Sequence, residues 1–165
     1  MILTIECIAA CLIFGFVFVG ATLHDKEAWL HEYAPEVQKR FIEKNPDYVP
    51  KEKKQKTISL IITKCIACLI FLAILSVLVY IAGARDFYTA VVYCYIIWFV
   101  VNLFDVIVLD IGIFAHWKKV RLPGTEDMDK EYASNAGKSI KDGFVGMIIG
   151  IPIALLCGLI IMLIL

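Results

Sequence analysis

The chain has 165 residues, of which 61 % are hydrophobic and 19 % are charged, and its formal net charge is zero. These proportions argue against an ordinary soluble domain and provide no basic surface for nucleic acid. The charges lie between four apolar runs, each long enough to cross a hydrocarbon core of about 30 Å. The runs cover residues 2–23, 57–83, 87–117 and 142–165. We predict an all-α, polytopic integral membrane protein, a four-transmembrane-helix bundle forming one membrane domain over residues 1–165.

The first run carries a single charged side chain, Glu6. No Lys or Arg precedes the run, and it is too long for the apolar part of a signal peptide, so we expect a retained helix. Carboxyl groups inside a membrane are costly and frequently functional. We expect Glu6 to lie at the membrane interface or to face the mouth of the bundle, with an ion-coupling role as the alternative.

The first polar connection, 24–56, contains two pairs of apolar residues that are four positions apart. The pairs are Trp29 with Tyr33 and Val37 with Phe41. Each pair gives a short helix an apolar edge. We expect these short helices to be interfacial, lying on the cytoplasmic surface of the membrane.

The second span, 57–83, follows a basic run from Lys51 to Lys56 that we expect to contact anionic lipid headgroups. Within the span, Lys64 lies about 10 Å beyond the first residue at 1.5 Å per residue. Its long side chain can reach back to the interface, or it can pair with Asp110, which lies at a similar depth in the third span. Lys64 is therefore a second candidate for a buried polar group.

All six cysteines fall inside the predicted spans. This distribution does not fit the disulfide framework of a secreted domain, and Cys65 and Cys68 on a helix are simply neighbours three residues apart. We interpret the cysteines as small packing residues. The sequence predicts no metal site and no cofactor.

The third span, 87–117, is organised around a polar face. Trp98, Asn102 and Asp105 follow one another at helical steps of four and three residues, which places them on one side of a helix. Asp110 comes five residues after Asp105 and would point about 140° away at about 100° per residue. A lone helix in lipid could not satisfy carboxylates in two directions, so we expect this helix to pack against others on both sides.

The fourth span is expected to begin near Asp142, because Ser139 and Asp142 have the spacing of a capping-box variant. Small residues recur along the span at every fourth position, a pattern that lets two helix backbones approach closely. They are Gly146, Gly150, Ala154 and Gly158. This seam predicts tight packing within the bundle, with a second copy of the chain, or with another subunit of a membrane complex.

The orientation follows from the positive charges. The connections 24–56 and 118–141 hold eight and six Lys or Arg residues, against Arg85 alone between the second and third spans. The positive-inside rule places both connections in the cytoplasm and both termini outside. At the cytoplasmic ends of the spans, five side chains are candidates for binding an anion. They are His24, His116, Lys118, Lys119 and Arg121.

The motif Asn-Leu-Phe-Asp at 102–105, with Val-Leu-Asp at 108–110 and Arg-x-Pro-Gly-Thr-Glu at 121–126, resembles a signature of uncharacterised bacterial multi-span membrane proteins. The resemblance covers roughly a quarter of the chain. It implies a bacterial plasma membrane and brings no activity with it.

Three functions fit these residues. In the first, the polar face of the third span forms a pathway for a proton, an ion or a small solute, with Asn102 and Asp105 at mid-depth. In the second, the protein is a non-catalytic subunit whose buried charges only fix helix pairing. In the third, it is an enzyme acting on an anionic headgroup, with His116 as acid or base. We predict the pathway and assign no catalytic residue.

Overall fold

The computed structural model describes residues 1–49 and 57–165, and every regular element in these two ranges is a helix. The α-helices of the described part are α1 (Ile2–His24), α2 (Pro35–Lys44), α3 (Thr57–Ile81), α4 (Phe87–Phe104), α5 (Asp129–Ser134) and α6 (Ala136–Ile164). A π-helical segment, Asp105–Phe114, continues α4 without a break. Short 3-10 helices occupy Lys26–Glu32 and Lys118–Val120. The predicted all-α class is confirmed over these residues.

Within the described ranges, three helical stretches are long and apolar enough to cross a membrane. They are Ile2–His24, Phe87–Phe114 and Asp129–Ile164. In α3 a shorter stretch, Cys68–Ile81, is apolar. Large apolar side chains point outward, with Phe16 84 % and Ile148 67 % exposed. Soluble proteins rarely expose such a continuous apolar surface, whereas a membrane-embedded protein presents it to lipid.

Helix α4 lies in the centre of the bundle and contacts α1, α3 and α6. Small side chains fill the interior, and Ala90, Cys94 and Cys157 are completely buried there. Small residues let helix backbones approach one another, which replaces the hydrophobic driving force that is missing between helices in lipid. In the described part of the chain all six cysteines are free thiols, and Cys65 and Cys68 lie on the outside of α3.

The small-residue seam of α6 lies against α4 of the same chain. A Cβ atom added at Gly150 would collide with the ring of Trp98, and three other glycines of α6 lie equally close to α4 or to the π-helical segment that continues it. Their contacts are Gly143 with Val106, Gly146 with Asn102, and Gly158 with Val91. The indole nitrogen of Trp98 also donates a hydrogen bond of 2.9 Å to the carbonyl of Gly146. These glycines therefore have no room for a side chain.

The two polar connections pack together at one end of the bundle and form a compact unit, here called the cap (residues 25–49 and 115–135). Its own apolar core joins Val37 and Phe41 of α2 to Leu122, Met128 and Tyr132 of the second connection. Polar contacts reinforce this core: Arg40 pairs with Asp127 at 2.9 Å, and Lys44 donates to the carbonyl of Gly124 at 2.8 Å. The cap thus holds the far ends of α1, α4 and α6 together.

The cap changes the interpretation of the predicted interfacial helices. Tyr33, Val37 and Phe41, which we expected at the membrane surface, are 3 %, 0 % and 1 % exposed. The apolar edges are real, but the other connection covers them instead of lipid. A periodic pattern defines an apolar face and does not identify what that face contacts.

Helix α6 begins at Ala136, earlier than the predicted start at residue 142. Ser139 is not an N-cap, because its amide already donates to the carbonyl of Asn135 at 3.1 Å within the first turn. The polar first turns are held by the cap, where Asn135 and Lys138 donate to backbone carbonyls of the Lys26–Glu32 segment. Residues 136–141 therefore belong to the helix that carries the seam.

Candidate functional site: an acidic cavity between bundle and cap

A cavity of about 260 Å³ lies where α1, α4 and α6 meet the cap. Its polar lining consists of Glu32, Asn102, Asp105, Asp110, Asn135, Lys138, Ser139 and Asp142. The three polar residues predicted on the third span, Asn102, Asp105 and Asp110, are therefore brought together at one cavity.

Asp105 and Asp110 both line this cavity, although an α-helix would turn them about 140° apart. The reason is the π-helical geometry of Asp105–Phe114, in which backbone hydrogen bonds close on the fifth residue. The amide of Ala115, for example, donates to the carbonyl of Asp110. Residues five apart then lie on the same side of the helix. The expectation that the two carboxylates face different directions is wrong for this reason.

Two oxygen atoms beside the cavity are buried and have no hydrogen-bond partner among the described residues. They are Oδ1 of Asp105 and Oδ1 of Asn102, which lie one turn apart. An unsatisfied buried acceptor costs about 1–3 kcal/mol. Asp110 shares the cavity lining with the hydroxyl group of Ser139. Unpaired acceptors at a cavity wall are suited to receive a hydrogen or a positive charge from a bound species.

Lys138 is the ammonium group of the cavity lining, and it already has partners. Its Nζ donates to the carbonyl of His31 at 2.9 Å and lies 3.9 Å from the carboxylate of Glu32. The amide of Asn135 donates to the carbonyl of Glu32 at 2.9 Å. These contacts fasten the first turn of α6 to the cap and fix one side of the cavity.

Among the described residues, the lining therefore has an excess of acidic groups. Lys138 offsets Glu32, with which it is paired, and three further carboxyl groups remain: Asp105, Asp110 and Asp142. Carboxyl groups that share a small volume repel one another unless protons or cations neutralise them. The cavity is electrostatically suited to cations.

Aromatic rings form a second part of the lining, and they touch one another in an unbroken series. The centroid distances are 4.8 Å from Trp29 to Phe18, 5.6 Å from Phe18 to Phe114, 6.3 Å from Phe114 to Tyr33, and 5.7 Å from Tyr33 to Tyr132. All five rings line the cavity. The series joins α1, the π-helical segment and the cap.

The hydroxyl groups of the two tyrosines are used inside the cap. Tyr33 donates to the carbonyl of Val120 at 2.8 Å, and the hydroxyl of Tyr132 accepts from the amide of Leu122 at 3.0 Å. Burial raises the pKa of Tyr33 well above its usual range, so its hydroxyl stays neutral and can keep donating. What the two residues offer to the cavity is their rings.

The anion-binding candidates at the rim do not gather at one place. His24, His116, Lys118 and Lys119 are exposed, and none of them lines the acidic cavity. Arg121 is only 3 % exposed. Arg121 is therefore not part of the exposed surface at this end of the bundle, because the cap encloses it.

The guanidinium group of Arg121 is enclosed by residues of its own connection. It pairs with Asp129, donates to the carbonyl of Glu126 at 2.6 Å, and lies 4.9 Å from the ring centroid of Tyr132. This placement corrects the sequence-based assignment of Arg121 to anion binding. The residue stabilises the turn between the π-helical segment and α5.

Of the remaining candidate residues, Glu6 does not line the cavity, and the others lie outside what the structure describes. Glu6 on α1 is 8 % exposed, and neither of its carboxylate oxygens has a hydrogen-bond partner in the described part of the chain. Lys64 belongs to α3, but its side chain lies outside what the structure describes, so its pairing with Asp110 stays a prediction. The run from Lys51 to Lys56 also lies outside the described residues, and its contact with anionic lipid stays a prediction.

Comparison with protein-family models, with curated proteins and with solved structures finds no match for this chain. The resemblance to bacterial multi-span membrane proteins therefore stays a prediction. The functional argument rests on the residues of the cavity alone.

Several residues of the cavity were not identified from the sequence, notably Glu32, Lys138, Ser139 and Asp142. A usable signal was present on α6, since Asn135, Ser139 and Asp142 follow one another at helical steps of four and three. The early capping-box assignment concealed it, because it placed the first two outside the helix. For Glu32, no local pattern indicates that it would meet α6.

Proposed function

We propose that the protein is a multi-pass membrane protein of a bacterial plasma membrane in which α3 also crosses the membrane, which gives four spans in all. The outward apolar side chains of α3, such as Leu69 at 66 % exposure, support this assignment. The cap carries eight of the 16 Lys and Arg residues, whereas Arg85 alone lies between α3 and α4, so the positive-inside rule places the cap in the cytoplasm. Both termini then lie outside.

Within this arrangement we propose that the protein forms a pathway for a cation, with the acidic cavity as its cytoplasmic half. The observation that carries the proposal is the buried Oδ1 of Asp105, which has no hydrogen-bond partner among the described residues and lies at a cavity where their carboxyl groups are in surplus. A carboxyl group kept only to fix helix pairing would be expected to have a partner. Asp105 instead has an acceptor available for a proton or a passing cation.

We propose that Glu6 is a second carboxyl group on the same pathway, on the outer side of the membrane from Asp105. The thiol of Cys11 on α1 lies 3.9 Å from the carbonyl of Val100 on α4, which sets the relative height of the two helices. Glu6 lies five residues before Cys11, and Asp105 lies five residues after Val100. At 1.5 Å per residue the two carboxyl groups are about 15 Å apart along the bundle, roughly half of the hydrocarbon core.

Flux measurements in proteoliposomes test this function. Purified protein would be reconstituted, and proton entry, Rb⁺ uptake and choline uptake would be followed with a trapped pH dye or with labelled cations. We expect at least one cation to enter faster than in protein-free liposomes. Asp105→Asn should reduce that flux at least about tenfold while the protein reconstitutes normally, because the amide keeps the shape and loses the exchangeable charge.

The matched control is Glu43→Gln, which makes the same chemical change at an exposed site of α2 outside the cavity lining. It should leave the flux unchanged. If wild type, Asp105→Asn and protein-free liposomes all give the same rates for all three cations, the pathway is ruled out.

A further inference from the structure

The acidic cavity combines two features that suit one class of ligand. We propose that it binds a small organic ammonium cation, held by the carboxyl groups and by the series of aromatic rings. This assignment rests on the proposed pathway and names its substrate class. The rings are Phe18, Trp29, Tyr33, Phe114 and Tyr132.

The aromatic rings are the reason for choosing an organic cation over an inorganic one. The negative face of an aromatic ring attracts a positive charge, and alkylammonium groups also gain from burying their apolar surface against it. A strongly hydrated inorganic ion is better served by convergent oxygen ligands. Among the described residues no three His, Cys, Asp or Glu side chains come together as such a ligand group.

The size and the charge of the cavity agree with this class. Its volume of about 260 Å³ falls just below the ~300–1,000 Å³ of pockets for drug-sized molecules. A compound of several non-hydrogen atoms fits that space. Asp105, Asp110 and Asp142 provide the opposing charge, and Lys138, the one ammonium group among the described residues of the lining, is already paired with Glu32.

Binding measurements on the full-length protein in maltoside micelles test the assignment. Isothermal titration calorimetry would compare choline and tetramethylammonium with 3,3-dimethylbutan-1-ol, the uncharged isostere of choline. We expect at least one of the two cations to bind at least about tenfold more tightly than the alcohol. Asp105→Asn should reduce cation binding without changing the binding of the alcohol.

Two tryptophans provide a matched pair of variants. Trp29→Leu removes a ring from the cavity and should weaken cation binding at least about fivefold, whereas Trp117→Leu changes an exposed ring outside the lining and should have no effect. Trp29→Phe keeps an aromatic face and should recover most of the affinity. This recovery separates loss of the ring from disturbance of the cap.

Each outcome decides between the two proposals. If neither cation binds more tightly than the alcohol, the ligand class is overturned; persistent proton or Rb⁺ flux that depends on Asp105 would then leave the pathway standing. If the cations bind in the expected order and no cation crosses the membrane, the pathway fails and the ligand class stands. If Trp29→Leu and Trp117→Leu change cation binding equally, the aromatic rings do not take part in binding.

Discussion

At the scale of single residues, Asp105 and Arg121 differ in how much of their charged group is satisfied. Arg121 is enclosed, and a carboxylate, a carbonyl and a ring hold its guanidinium group, although its Nε has no hydrogen-bond partner among the described residues. Asp105 lines a cavity, and its buried Oδ1 has no partner among the residues described. A buried polar group with partners stabilises a fold, whereas one without partners reduces stability and is retained where a function requires it.

Replacing Arg121 by alanine tests its structural role. The change removes the bond to the carbonyl of Glu126 and the contact with the ring of Tyr132. It also removes the pair with Asp129, whose side chain is 64 % exposed and therefore contributes less. We expect a loss of about 2–3 kcal/mol in unfolding free energy, visible as a lower melting temperature.

Lys119→Ala is the control for this variant, because Lys119 is a nearby cation on the surface of the cap. Its effect should stay within about 0.5 kcal/mol. Equal melting temperatures for the two variants would show that the enclosed guanidinium group does not stabilise the cap, and Arg121 would again be a candidate for binding an anion.

At the scale of elements, the π-helical segment decides the composition of the site. The sequence of Asp105–Phe114 is apolar apart from its two carboxyl groups, and nothing in it distinguishes a π-helix from an α-helix. Regular α-helical periodicity therefore located Asn102 and Asp105 on one face but misplaced Asp110. π-Helical turns are rare and are often found at functional sites, which is consistent with this position beside the cavity.

The packing of α6 on α4 is the second feature at this scale, and Gly150→Leu tests it. A side chain at residue 150 would occupy the space of the Trp98 ring and force the two helices apart. We expect a destabilisation of at least about 1–3 kcal/mol, the usual range for overpacking. Thermal melting in detergent, followed by size-exclusion chromatography, measures it.

Gly20→Leu on α1 makes the same substitution where no atom lies within 4 Å of an added Cβ. Its melting temperature should match that of the wild type. If both variants melt like the wild type, α6 does not depend on close approach at Gly150. A partner on α6 stays a prediction, and it would have to contact the outward apolar side chains of the helix.

At the scale of the whole molecule, the sequence predicted the features that depend on local patterns, above all the positions of the long helices. The apolar runs placed the long helices within a few residues of their observed ends, apart from the start of α6. The cap could not be predicted in this way, because its contacts join distant segments. Lys138, for example, bonds to the carbonyl of His31 across a separation of 107 residues. The cavity forms only when the cap packs against the bundle. For this reason the sequence predicted only some of the residues that line it.

The most direct test of the central claim is whether the acidic cavity is open to cations from the side that carries the cap. Val106 lines the cavity, whereas Val108, on the same π-helical segment, is 41 % exposed on the outer surface that we assign to lipid. Each would be changed to cysteine, and the rate of modification would be measured in inside-out vesicles against the wild-type background. The reagents are methanethiosulfonates carrying a trimethylammonium or a sulfonate group.

We expect Val106→Cys to react with the cationic reagent at least about tenfold faster than Val108→Cys, and faster than with the anionic reagent, because the carboxyl groups attract cations into the cavity. In right-side-out vesicles the difference should disappear. Equal, slow modification of both cysteines by both reagents would show a closed, dry site and would contradict the account.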